Sequence, residues 1–529
     1  MTTNGWLKNT PGEGTGPTEH VGSLGIPVGR VPSRGALEVF QQAAQALYAR
    51  PLWQAADLGR PIPDSPHAVS VALPRWQDVV DYEEHHPEII TKLTSGYPRF
   101  VIHPQVRILA QRLGGNAPCL PFPSAESARL AAGFVRTASH ETAEVSAQDG
   151  MYGVITTAAG NNSLRAFWQH TGLIVSSRRA EAWLAGGMID ADGIEARRSL
   201  RQQLAELYEC DIDDVFLSPT GMAAHFAALR AVSHWRPKLS TAQLGFPYVD
   251  TLKLQQKIGH GGILLHDLPH IEKDLRLLLA QRSLAACFCE IPGNPLLGCV
   301  NVRDIHPILR EHGVPLVVDD VVATPINVDL SPYADLIATS LTKYIAGTGD
   351  AMGGALICNP RSAFYHELKP RIQAQHEELL WGSDAVILEA QTRGFPDRMR
   401  RHNSNGLCLA ERLRRHPAIE RVWYPKWEFS EAYDAVRRPQ GGWSSLITFL
   451  AKRAEETAPQ IYDALAVSKG PSLGTVFTLA CPFTLLAHYS ELPWAESCGL
   501  SRHLIRISIG LEDPDELWQK LETALKTTQ

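Results

Sequence analysis

Asp335-Leu-Ile-Ala-Thr-Ser340-Leu-Thr342-Lys343-Tyr-Ile-Ala-Gly347 places one lysine just after a short apolar run, beside hydroxyls at Ser340 and Thr342. The run Leu336–Thr339 has the length and bounding residues of a strand buried on both faces. A lysine is rarely buried there without a reason, because desolvation penalises its charge. The ordinary reading is a side chain snorkelling from the strand end. The functional reading is covalent: a Schiff base with a carbonyl cofactor turns the amine into an imine.

Working outward, Val317-Val318-Asp319 closes the preceding apolar run with a carboxylate, at the sheet edge where α/β proteins bind ligands. An aspartate on a pyridine nitrogen is the usual tuning of pyridoxal phosphate. Upstream, Thr220-Gly221-Met222 opens a helix after the strand Val215–Leu217. Its backbone N–H groups and positive dipole end suit a phosphate, and glycine permits close approach. Lysine, aspartate, glycine loop and hydroxyls thus form four parts of one cofactor site at strand-to-helix junctions.

The surrounding pattern predicts an α/β domain with a mostly parallel central sheet. Leu284–Ile291, Val314–Val318, Leu336–Thr339 and Gly354–Cys358 are short apolar runs bounded by Pro, Gly or Asp. Between them lie helical patterns: Leu200, Leu204, Leu207 and Tyr208 share one face, and so do Met222, Phe226 and Leu229. After Pro370 a helical stretch leads to strands at Ser445–Leu450 and Leu504–Ile509, read as a smaller α+β domain. The expected division is a flexible leader (1–35), an N-terminal region with an insertion (36–193), a cofactor-binding large domain (194–370) and a C-terminal domain (371–529). Within it, about 105–193 is the least readable part, taken as surface elaboration with a lid as the alternative.

Composition narrows the function. The 529 residues carry 50 basic and 56 acidic side chains, a formal charge of −6, against the basic excess of nucleic-acid binders. No apolar run approaches the ~20 residues of a membrane-spanning helix. Nine cysteines without a Cys-x-x-Cys pair argue against a disulfide framework or a zinc site, and Cys287 and Cys289 read as buried thiols. Without the layout of a signal peptide, reduced cytoplasm is the expected location. Gly347-Thr-Gly349-Asp-Ala-Met-Gly353 lacks dinucleotide spacing, His266 and His270 read as solvated loop histidines, and His85-His86 as a surface pair. No metal site is expected.

The motifs recur in a known order. Ser-Pro-Thr-Gly221-Met222-Ala-Ala, Glu290-Ile-Pro-Gly-Asn294-Pro295, Val-Asp319-Asp-Val-Val-Ala-Thr-Pro325 and Thr-Ser340-Leu-Thr342-Lys343-Tyr follow one another, then Arg398-Met-Arg-Arg401-His402-Asn403 and Ile505-Arg506-Ile-Ser-Ile-Gly-Leu-Glu-Asp513. This resembles the cystathionine γ-synthase branch of the pyridoxal-phosphate-dependent Cys/Met metabolism family, over about residues 195–529 plus a piece near Tyr97. His67-Ala-Val-Ser-Val-Ala-Leu-Pro, Gly96-Tyr97-Pro-Arg99-Phe and Ser472-Leu473-Gly474-Thr-Val-Phe-Thr are similar to its long fungal form.

The resemblance implies fold type I of the pyridoxal-phosphate-dependent transferases, aspartate-aminotransferase-like. It implies that Lys343 holds the cofactor as a Schiff base and shuttles protons, and that Asp319 pairs with the pyridinium nitrogen. Tyr248 would stack on the ring and assist at the leaving group. Asn294 would contact the ring oxygen or the substrate carboxylate, and Gly221, Met222, Ser340 and Thr342 the phosphate. Tyr97 and Arg99 would reach the phosphate of a neighbouring subunit, making a homodimer the smallest complete unit within a homotetramer. Arg506 and Ser472 would hold the substrate α-carboxylate.

The implied reaction is γ-replacement on an O-acylated L-homoserine through a β,γ-unsaturated intermediate, with a thiol such as cysteine as nucleophile. A carbon or nitrogen nucleophile, or γ-elimination, are the alternatives, and a degenerate non-catalytic protein is a third. Three departures stand out, namely Asp320, which adds a carboxyl beside Asp319, Phe477, which stands where many bacterial members carry glutamate, and the long segment about 105–193; Val249-Asp250 after Tyr248 is a softer mismatch that, with Phe477, leaves room for another nucleophile.

Overall fold

The computed structural model describes residues 47–187 and 191–528; the expected leader, 1–35, lies outside the described residues. Three sheets organise the chain. A small antiparallel sheet is built from β1 (Cys119–Phe122), β2 (Ala143–Gln148) and β3 (Met151–Thr156), with β3 in the middle. The central sheet has seven strands: β4 (Val215–Ser218), β5 (Thr241–Leu244), β6 (Gly262–Leu265), β7 (Cys287–Glu290), β8 (Leu316–Asp319), β9 (Leu336–Ser340) and β10 (Gly354–Cys358). Their order across the sheet is β4-β10-β9-β8-β7-β5-β6. A third sheet comprises β11 (Ile419–Trp423), β12 (Leu446–Ala451), β13 (Ser468–Lys469), β14 (Leu479–Cys481) and β15 (Ile505–Ser508), ordered β11-β12-β15-β14-β13.

The central sheet is parallel except for β10, which pairs antiparallel with both β4 and β9. The sequence pattern grouped Gly354–Cys358 with the parallel strands. No helix longer than a turn lies between β9 and β10, so the chain returns directly, and a direct return is antiparallel. Strands β4, β7, β8 and β10 are buried throughout, which explains their unbroken apolar runs. Cys287 and Cys289 alternate onto one face and pack in the same core as Leu200, Leu204 and Tyr208. His85, His86 and His270 are exposed, as expected.

The least readable stretch is a lobe with its own order. Helices Ala125–Ser139 and Asn161–Thr171 cover the small sheet, and their apolar faces merge with the stripe Met222, Phe226 and Leu229 of the helix Gly221–Trp235. Phe167 meets Phe226 edge-on at 6.0 Å between ring centroids. Upstream, Leu58, Val71, Leu73, Val79 and Ile89 pack instead with the C-terminal sheet. The described residues before the large domain therefore serve more than one core. No helix among the described residues is long and apolar enough to cross a membrane.

Candidate active site

The pocket lies at the carboxyl ends of β4, β7, β8 and β9, where loops replace the ladder and side chains turn towards a common crevice. At the end of β4, Thr220 caps the following helix, its hydroxyl accepting from Ala223 N–H at 3.1 Å. The N–H groups of Gly221 and Met222, ahead of the first helical turn's acceptors, have no helical partner. A Cβ on Gly221 would lie 2.7 Å from Ser340 Cβ, so only glycine lets this loop meet the end of β9. This forms a cradle for a phosphate. The hydroxyl of Thr342 is engaged by the backbone of Gly353, donating at 3.3 Å and accepting at 3.1 Å, so it shapes the cradle from behind.

Asp319, at the end of β8, accepts from Val321 N–H at 2.8 Å, and its other oxygen lies 2.8 Å from His225 Nε2. His225 stands one turn beyond Gly221, a helical spacing that could have pointed to it. At the end of β7, Glu290 accepts from the backbone N–H groups of Tyr248 (2.6 Å) and Asn294 (3.2 Å). Burial, then the nearby Asp319, pushes the Glu290 carboxyl well above the usual carboxylate range. Glu290 thereby fixes the backbones of both candidate residues.

Lys343 is buried, and its Nζ donates to Ser472 Oγ at 2.8 Å. Ser472 has φ +106°, a strained conformation that aims its hydroxyl at the lysine. The ammonium lies 4.5 Å from the centre of the Tyr97 ring. Burial lowers the Lys343 pKa, opposed by Tyr97 and reinforced by Arg506 and Arg99. Burial alone would raise the Tyr97 phenol, but Lys343 and Arg99 outweigh it and bring it down to about 8. Arg506 donates to Asn294 Oδ1 at 3.1 Å and to Ser472 C=O at 2.8 Å, with its guanidinium 4.7 Å from the centre of the Phe483 ring. Much of the remaining lining is apolar: Val69, Tyr82, Phe100, Leu486 and Ala487.

Tyr97 and Arg99 line the same pocket as Lys343. The physical reason is the anchoring of the segment before them along the C-terminal sheet. Leu73 N–H donates to Lys469 C=O at 2.9 Å, and the Tyr462 hydroxyl donates to Leu73 C=O at 2.8 Å. A Cβ at Gly470 would stand 2.3 Å from Val71 C=O, so the segment lies flush on glycine. Ser95 then ties the Tyr97 loop back to Ala68 C=O at 2.7 Å.

The departures resolve differently from expectation. Asp320 faces away from the pocket and accepts from the Tyr208 hydroxyl at 3.0 and 3.1 Å. Burial and then Asp319 raise its carboxyl to about 7. Phe477 packs with Leu52, Ile62, Ala72 and Leu511, outside the pocket lining. Asp250 is buried and holds Arg99 in an ion pair, while Arg99 donates to the Tyr248 hydroxyl at 2.6 Å. Gln169 and His170 of the inserted lobe reach the same carboxylate, and nothing in the sequence pattern linked them to it.

Residues 193–526 match the family model for Cys/Met metabolism PLP-dependent enzymes. The chain belongs to this family. Its relatives include a cystathionine γ-synthase of Neurospora crassa, 31% identical over 89% of this chain and 98% of that one. An L-2-amino-4-chloropent-4-enoate dechlorinase/desaturase of Streptantibioticus cattleyicolor is 34% identical over 86% of this chain and 95% of that one. A solved cystathionine γ-synthase from Xanthomonas oryzae pv. oryzae, in complex with aminoacrylate and cysteine, aligns with TM-score 0.55 and 28% identity over 63% of this chain and 85% of that chain. Fold type I and dependence on pyridoxal 5'-phosphate come with the family. The pocket fits that group: the glycine cradle accepts no side chain, the buried lysine has no carboxylate partner among the described residues, and an aspartate stands at the end of the neighbouring strand.

Proposed function

We propose that the protein catalyses γ-replacement on an O-acylated L-homoserine, with a thiol such as cysteine as nucleophile. The observation that carries this is Lys343 Nζ held 2.8 Å from Ser472 Oγ in a pocket that also contains Arg506 and Asp319. Bound pyridoxal phosphate supplies an electron sink for charge developing along the amino-acid carbons. Asp319, oriented by His225 and Val321 N–H, would keep the ring nitrogen protonated. Gly221, Met222, Ser340, Thr342 and Arg99 would hold the phosphate, and Tyr248 would pack on the ring. Arg506 grips the substrate α-carboxylate through a planar guanidinium pre-aligned by Asn294 and Phe483.

Proton movement falls to Lys343. Burial lowers its pKa, which favours the neutral amine required to take a proton from Cα and then from Cβ. Ser472 holds that amine in place, and the Tyr97 hydroxyl supplies a second group of lowered pKa for the departing acyl oxygen.

The apolar lining favours a second reading of the nucleophile. Val69, Tyr82, Phe100 and Leu486 offer no charge to a second amino-acid zwitterion, which suits a carbon, nitrogen or simple thiol nucleophile. The test is mass spectrometry of the cofactor-loaded protein with O-acetylhomoserine in deuterated water, with and without cysteine. Cystathionine formation supports the first reading. Acetate loss with deuterium at Cα and Cβ but no cystathionine supports the second. Absence of exchange at Cα overturns both, and the Lys343→Ala protein is expected to show none.

A further inference from the structure

The motif Arg398-Met-Arg-Arg401-His402-Asn403 supplies no residue to the pocket lining, yet its helix joins the two domains that form the pocket. In the helix Phe395–Arg415, Phe395 and Met399 pack in the large-domain core, while Leu409, Ala410 and Leu413 pack in the core of the C-terminal sheet. Arg398, His402, Asn405 and Gly406 follow at i, i+4, i+7 and i+8 and share one buried face. A Cβ at Gly406 would stand 2.4 Å from Ser444 C=O, so the helix keeps a glycine there despite its conformational cost.

That face meets the loop after Lys343. Arg398 donates to the carbonyls of Ile345 at 2.5 Å, Ala346 at 3.3 Å and Gln391 at 2.8 Å. Burial lowers its guanidinium to about 9, which still leaves a cation at neutral pH. Tyr344, next in sequence to Lys343, stands edge-on to His402 at 5.0 Å between ring centroids. Its hydroxyl accepts from Ser444 Oγ at 2.9 Å and lies 3.2 Å from Ser445 Oγ, on the chain entering β12.

The same face holds the chain leaving β15, the strand that carries Arg506. His402 Nδ1 lies 3.0 Å from both Ser445 Oγ and Ile509 C=O, and Asn405 donates to the carbonyls of Gly510 at 3.0 Å and Glu512 at 2.9 Å. Burial brings His402 down to about 3, so the ring is neutral, and with a carbonyl as partner its proton sits on Nδ1. Lys343 belongs to the large domain and Arg506 to the C-terminal sheet, so the distance between them depends on this seam. Small displacements of a reacting group are costly.

We propose that Tyr344, Arg398 and His402 key the Lys343 loop to the C-terminal sheet and thereby set the spacing between Lys343 and Arg506. They are positioning residues, acting through the loop and through β15. The inference rests on the reading of this pocket as the pyridoxal-phosphate site, and is independent of the nucleophile.

The test compares two ligands of the cofactor-loaded protein, L-norleucine and n-pentylamine, which differ only by the α-carboxylate. Each is titrated by the change in visible absorbance, and the ratio of the two dissociation constants measures what the carboxylate gains from Arg506. Tyr344→Phe removes one hydroxyl and keeps the ring. It is expected to reduce the preference for norleucine about three- to tenfold while cofactor affinity stays within about twofold. His402→Leu is expected to do the same, and His402→Asn, which retains a donor near the Nδ1 position, to restore most of the preference. A lower melting temperature with the preference unchanged in both Tyr344→Phe and His402→Leu means a merely structural seam and overturns the proposal. Equal weakening of both ligands means that the seam seats Lys343 alone, and overturns the spacing role. The functional reading of the pocket fails separately: in that case the wild type captures no borohydride-fixable cofactor at Lys343, or prefers norleucine no more than the Arg506→Ala protein does.

Discussion

At the residue scale, two titrations follow from the pocket. Tyr97 has its phenol lowered to about 8 because Lys343 and Arg99 outweigh the effect of burial. Ultraviolet titration of the cofactor-free protein is therefore expected to show one tyrosine ionising near pH 8, below the ~10 of an ordinary phenol. Tyr97→Phe removes that transition, and its persistence would assign it elsewhere. Asp320 gives the opposite sign of effect. Its carboxyl titrates at about 7 in the folded chain and lower when unfolded, so between those values the folded state binds the extra proton. Its contribution to stability is present below the unfolded pKa and declines as pH rises through 7. Asp320→Asn retains an acceptor for Tyr208, so its melting temperature relative to wild type is expected to rise between pH 5 and pH 8. A pH-independent difference would contradict this.

At the element scale, the site depends on strand ends and one helix start. Glu290, Asp319 and Ser340 end the neighbouring strands β7, β8 and β9; Glu290 pairs with Asp319 and Asp319 with Ala338, two residues before Ser340, so sheet pairing sets their spacing. The cradle depends further on Gly172, where a Cβ would fall 2.2 Å from Thr220 Oγ1 and 2.9 Å from Ala223 N. Gly172→Ala must displace the capping threonine or leave its left-handed conformation. It is expected to lower stability by about 1–2 kcal/mol and to weaken cofactor binding. Thermal unfolding and cofactor titration check both, and unchanged values would mean that the lobe yields freely. These elements were also the most legible in the sequence. A strand buried on both faces leaves an unbroken apolar run, and the residue that ends it marks the binding edge. The direction of β10 was not legible, because an apolar run looks the same whichever way it runs.

At the scale of the whole molecule, the sequence by itself determined the α/β class and the two-sided burial of the central strands, and singled out Lys343, Asp319 and the Gly221 loop as candidate residues. Each follows from local physics: the period of apolar residues, the desolvation of a buried charge, and the need for glycine at close approach. Tertiary structure alone decided which residues meet across the chain. Asp250 lies 80 residues from His170 and 151 from Arg99, yet their polar atoms form one buried network. Phe477 occupied a motif position but packs in a separate apolar cluster, and Asp320 adjoins the cofactor aspartate but faces Tyr208. The inserted lobe had no readable signal, because its helices present their apolar faces to the large domain and its few polar contacts carry no periodicity. Whether Tyr97 and Arg99 enter their own pocket or another depends on how the preceding segment docks against β13 and Gly470. That docking is set by long-range backbone contacts, which a linear pattern of side chains does not encode.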